Sequence, residues 1–167
     1  SVEFYGTRNF EVVWEKICGF VLDNQYEFVK DFIDKPVWNP VVGKGHAADT
    51  LKPDVISIFN TNQKNYFIIS DAKYYNIKLT VEKLELNPGV GDITKQYLYQ
   101  LAFKNLMEKQ NVDKVHNVLL FPTELESIEY IGEVTIEFLN ALELEDIMLV
   151  KLPVHKVFQM YINYERM

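Results

Sequence analysis

A chain of 167 residues has room for one domain with a substantial core and none for a second, and a composition of 48% hydrophobic and 25% charged residues excludes disorder. The single cysteine, Cys18, excludes an internal disulfide and a cysteine-cluster zinc site, while the lack of a membrane-length apolar run or a signal peptide leads us to expect a cytoplasmic protein with no membrane contact. The net charge of -7, taken alone, argues against a nucleic-acid partner, since such proteins usually present a basic surface.

Residues 8 to 22 place Phe10, Val13, Trp14, Ile17 and Val21 at helical spacing, and Cys18 in this run is expected to pack as a small buried hydrophobe. Its other faces carry Glu11 and Glu15. From Asp34 to Pro53, the breakers Pro36, Pro40, Gly43 and Gly45 predict loop. Val55 to Phe59 and Tyr66 to Ser70, rich in β-branched and aromatic residues, predict a hairpin around the polar segment 60 to 65. A polar stretch from Asn76 to Gly91 leads to Asp92, read as the N-cap of a helix reaching about Gln110, with Ile93, Tyr97 and Leu101, and Leu98 and Ala102, as its apolar faces. Val115 to Phe121, apolar but for His116 and Asn117, predicts a central strand covered on both sides. Ser127 to Thr135 predicts an edge strand, Ile147 to Leu152 another strand, and Pro153 the opening of a last helix. The fold class is α/β, a mixed sheet with helices on both faces.

A hairpin symmetric about Asn62 and Gln63 sets Ile56 opposite Ile69, Ile58 opposite Phe67 and Asp54 opposite Asp71. Lys73 continues the same face, because side chains alternate along a strand. Residues opposed in this way have Cβ atoms roughly 5 Å apart, and like charges there repel. Two such carboxylates call for a cation, and oxygen ligands favour Mg²⁺, which keeps positions free for water and phosphate oxygens. Lys73 could orient a water or stabilise phosphoryl charge. The plainer alternative makes Asp54 a turn residue after Pro53, and Asp71 and Lys73 solvated charges at a strand end.

Pro53-Asp54, followed by Asp71-Ala72-Lys73, resembles the PD-(D/E)xK motif of the restriction-endonuclease-like nuclease superfamily, and the order of elements agrees over about residues 8 to 121. Phe10-Glu11-Val-Val-Trp14-Glu15-Lys-Ile-Cys18, Asp71-Ala-Lys-Tyr74-Tyr75 and Gly91-Asp-Ile-Thr-Lys95-Gln96-Tyr97-Leu98-Tyr99 are similar to LlaJI-type restriction endonucleases and, more distantly, to McrC-like nuclease subunits.

The resemblance implies a restriction-endonuclease-like core and Mg²⁺-dependent hydrolysis of double-stranded DNA by a type II restriction enzyme, with Mn²⁺ able to substitute. It implies Asp54, Asp71 and the backbone carbonyl of Ala72 as metal ligands, Lys73 as the residue positioning the water, and Gln96 as a glutamine reaching the site. Glu15 is the preferred acidic residue of the first helix, with Glu11, one turn earlier, as the other candidate. Lys95, Tyr97 and Tyr99 are possible phosphate contacts, although Tyr74, Tyr75, Tyr97 and Tyr99 read more simply as core aromatics. His46 reads as a surface loop histidine, and His116 and His155 have no metal-ligand spacing. Enzymes of this kind carry a separate DNA-recognition domain ahead of the nuclease domain. The missing initiator methionine and the acidic charge suit a single nuclease domain over 1 to 167 cut from a longer chain, dimeric when it cleaves both strands. Two alternatives remain open, a structure-selective resolvase or repair nuclease and a non-catalytic DNA-binding module on a nuclease fold.

Overall fold

The computed structural model describes residues 10–167, so the first two residues of the helix expected from 8 lie outside the described part. Helix α1 (Phe10–Val21) buries Trp14, Ile17, Cys18 and Val21. Val13, expected on the same stripe, is 40% exposed, because the buried arc is narrower than the apolar one. A short helix α2 (Tyr26–Val29) and a 3-10 turn (Lys30–Phe32) follow. The expected loop from Asp34 to Pro53 contains one small antiparallel pair, β1 (Val37–Trp38) and β2 (His46–Ala47).

The expected hairpin is longer than its apolar runs and comprises β3 (Val55–Thr61) and β4 (Lys64–Ala72). Its register pairs Ile56 with Ile69 and Ile58 with Phe67, as the alternation requires. The turn is two residues, Asn62 (φ 51) and Gln63 (φ 59), both in the left-handed region whose twist matches that of the flanking strands. A slip of one residue would turn the apolar face outward. The polar stretch after β4 contains a second small pair, β5 (Lys78–Leu79) and β6 (Leu84–Glu85).

Helix α3 (Val90–Lys109) begins two residues before the expected cap, which is Gly89 rather than Asp92. Strands β7 (Lys114–Thr123), β8 (Glu129–Val134) and β9 (Ile147–Pro153) and helix α4 (Val154–Ile162) complete the chain. The sheet order is β3-β4-β7-β9-β8, with β4, β7 and β9 parallel and the two edge strands antiparallel to their neighbours. β7 lies in the middle. Its Val118 and Leu120 pack under α1 and α4, whereas Leu119 and Phe121 pack with Ile93 and Tyr97 of α3.

The apolar faces expected on α3 need correction. Leu98 is 43% and Leu101 36% exposed, while Gln96 and Gln100 are buried in their place. Their amides make the substitution tolerable. Gln96 Nε2 donates to the carbonyls of Ile69 and Val118, and Gln100 exchanges two hydrogen bonds with the backbone of Glu145.

Candidate active site

The parallel strands β4, β7 and β9 carry their carboxyl ends to one edge of the sheet, the edge at which ligands of open α/β sheets usually bind. Asp71 is the penultimate residue of β4 and is only 3% exposed. Asp54 precedes β3 by one residue. Its Oδ2 accepts a hydrogen bond from the Ala72 amide at 2.9 Å, and its carboxyl group also reaches the Asp71 side chain within hydrogen-bonding range. The two aspartates therefore meet, as the hairpin register requires, and Ala72 turns its side chain into the core beneath α1.

The segment carrying Asp54 is held from both sides. Asn24 donates through Nδ2 to the Asp54 carbonyl, while its Oδ1 accepts from the Ile56 and Tyr26 amides. The Tyr99 hydroxyl donates to the Lys52 carbonyl at 3.1 Å. A carboxylate on a strand end fixed in this way is held in a defined direction.

Lys73 extends the β4–β7 ladder by one bond, its amide donating to the Leu120 carbonyl. Its Nζ lies 2.6 Å from Asp71 Oδ2 and 2.9 Å from Asp92 Oδ1. Asp92 is the residue that sequence reasoning missed, having read it only as a helix cap. Nothing local links it to Lys73, and only its position two residues past the start of α3 brings the two together.

Electrostatics at this edge follow from crowding. Burial, and then the charge on Asp71, push the Asp54 carboxyl up to about 7. Burial and Asp71 also raise Glu15, which feels the opposing pull of Lys73 and Lys95. Burial opposes the charge on Lys73, yet the bonds and charges of Asp71 and Asp92 outweigh it and hold the ammonium above its ordinary value. The two carboxylates thus favour the charged form of Lys73.

Of the two glutamates of α1, Glu15 is half-buried beside this cluster, whereas Glu11 is exposed one turn away. Gln96 is fully buried and spends both amide protons on sheet carbonyls, so it braces β4 against β7 beneath the edge. Tyr97 and Tyr99 are core residues with hydroxyls on the Val134 and Lys52 carbonyls, and Tyr74 packs against Phe10 and Trp14. Lys95 and His46 are exposed, and so is His155. Among the described residues no group of three or more His, Cys, Asp or Glu could cage a metal. The Asp54–Asp71 pair nonetheless fits Mg²⁺, which needs only one or two protein carboxylates. A cleft of about 490 Å³ is lined by Tyr74, Tyr75, Asn76, Thr123 and Lys151 among others, and none of Asp54, Asp71, Lys73 and Asp92 lines it.

A five-stranded mixed sheet between helices, carrying this acidic edge, defines a domain compatible with the restriction-endonuclease-like fold. The chain belongs to the LlaJI restriction endonuclease family, whose model matches residues 1–158. It is 37% identical over 167 residues to the type II restriction enzyme BsuMI component YdjA of Bacillus subtilis (strain 168), covering 98% of this chain and 34% of the relative. The chain thus spans about a third of that relative's length. No solved structure matches it. Among the described residues no helix is long and apolar enough to cross a membrane.

Proposed function

We propose that this chain is the DNA-cleaving domain of a type II restriction endonuclease, hydrolysing phosphodiester bonds of double-stranded DNA at the edge formed by Asp54, Asp71 and Lys73. The observation that carries the reading is the buried meeting of the two carboxylates with an ammonium alongside. Such a pair is poorly suited to solvent and well suited to a divalent cation. In this reading Asp54 and Asp71 hold Mg²⁺ or Mn²⁺, with the Ala72 carbonyl as a further ligand. When bound, the ion acidifies water and neutralises phosphate charge.

The chain's own residues do the rest. Lys73 faces the attacking water and the phosphoryl oxygens, countering negative charge as the new bond to phosphorus forms and the bridging P–O bond breaks. Glu15, half-buried and within the electrostatic reach of Asp71, is the additional acidic group. Gln96 acts at one remove, by keeping β4 and β7 in register beneath Asp71.

We read the chain as one domain of a longer enzyme that binds its DNA through another part. Its net charge of -7 suits a domain that cuts where something else has already bound. The named relative is a component of a restriction enzyme, and we extend to this chain the need for partner subunits. Cutting both strands takes two copies of the site, so dimerisation on DNA is part of the proposal.

The test is cleavage of plasmid DNA by the full-length gene product with Mg²⁺, followed by sequencing of the ends. Asp71→Ala is expected to lower cleavage at least about a hundredfold. Wild-type cleavage by that variant would refute the site. Preferential cutting of branched over linear duplexes would instead identify a structure-selective nuclease.

A further inference from the structure

Lys73 has two carboxylate partners on two different elements, and only one belongs to the aspartate pair. Asp71 Oδ2 lies 2.6 Å from the ammonium and Asp92 Oδ1 2.9 Å, with the lysine side chain 16% and the Asp92 side chain 25% exposed. A lysine bound to Asp71 alone would compete with a divalent cation for that oxygen. Once the cation arrived, like-charge repulsion would drive the ammonium off on its flexible four-carbon stem. A second anchor outside the metal pair removes that difficulty. Asp92 is built to be one. It sits in the first turn of α3, where the helix dipole favours an anion, and its amide is fastened to the Gly89 carbonyl.

Resting on the nuclease reading above, we infer that Asp92 is a positioning residue that retains Lys73 at the site while Asp71 turns its oxygens to the cation. Asp92 touches neither the substrate nor the cation. It acts by keeping the ammonium directed at the reacting phosphate, and by drawing it away from Asp71 it leaves that carboxylate open.

Asp92→Asn tests this, because it preserves shape and removes charge. Two readouts are used on the full-length protein, Mn²⁺ affinity by calorimetry without DNA and single-turnover cleavage with saturating DNA. Asp92→Asn is expected to weaken Mn²⁺ binding about tenfold and to slow cleavage roughly ten- to a hundredfold, as losses of residues that orient metal-site groups do. Asp92→Glu should recover most of both. Asp92→Ser, well tolerated near a helix start, carries the same expectation as Asn if the amide variant fails to fold.

The deciding comparison is made in Lys73→Met, where affinity is measurable whether or not cleavage survives. There Asp92→Asn should no longer change Mn²⁺ affinity appreciably. An equal weakening with and without Lys73 would mean that Asp92 acts directly through its own charge, and would overturn the inference. So would an Asp92→Asn variant with wild-type affinity and rate. If instead Asp71→Ala retained full Mn²⁺ binding, the metal-pair reading itself would fall, an outcome distinguishable from a silent Asp92.

Discussion

Helices α1 and α3 cover opposite faces of one sheet by different means. α1 buries Trp14, Ile17, Cys18 and Val21 against Val55, Ala72, Val118 and Leu120, an apolar contact relieved by one indole donation to the Leu120 carbonyl. α3 buries Tyr99, Phe103, Leu106 and Met107, but it also inserts Gln96 and Gln100 and leaves Leu98 and Leu101 in solvent. One helix adheres by surface area. The other is keyed to particular backbone carbonyls, and it is the one that delivers Asp92 to Lys73. A helix that must present one side chain at a fixed point gains more from directional hydrogen bonds than from an apolar stripe, which tolerates rotation and sliding.

The largest break in this contrast should come on the area-driven side. Trp14 is fully buried, and Trp14→Ala is expected to lower the unfolding free energy by about 3–5 kcal/mol in denaturant titration. A loss below about 1 kcal/mol would mean that α1 contributes little to the core.

On the keyed side, Gln96→Ala should cost about 2–4 kcal/mol through a cavity and lost donors. Gln96→Leu should cost about 1 kcal/mol, because it fills the space and also removes the buried Oε1, which has no hydrogen-bond partner among the described residues. Cleavage by Gln96→Leu, assayed well below its melting temperature, should stay within a few-fold of wild type if Gln96 only braces the sheet. A loss comparable with that of Asp71→Ala would return Gln96 to the chemistry.

The edge where the two faces meet should show itself in pH dependence. In the native state Asp54 titrates near 7, against an ordinary value of 3.8, so between those limits the folded protein holds a proton that the unfolded chain releases. Stability from this group is therefore present at low pH and lost as pH rises from about 4 to 7. The loss is on the order of 2 kcal/mol in metal-free protein after allowing for solvent screening. It should appear as the difference between wild type and Asp54→Asn in melts across that range. Parallel profiles would mean that the carboxyl ionises normally.

The smallest effect is expected at the apolar positions left outside. Leu98→Gln should change stability by no more than about 0.5 kcal/mol. A cost near that of Trp14→Ala would show that a partner or another domain covers α3.

The hairpin, its register and the coincidence of Asp54, Asp71 and Lys73 on one face were legible from local pattern. Alternation with a period of two and a turn at Asn62-Gln63 are local properties, and together they leave one arrangement that keeps Ile56, Phe67 and Ile69 inside. The buried stripe of α1 and the central position of β7 were legible for the same reason. Which face of α3 turns inward was not legible there, because a glutamine counts as polar in any periodicity until a sheet carbonyl stands opposite it. The same rotation of α3 against β4 and β7 gives Lys73 its second carboxylate, and the clamp of Asn24 on the Asp54 backbone likewise joins residues far apart in the chain. Contacts of this kind depend on how whole elements are set against one another, and no short-range pattern records that.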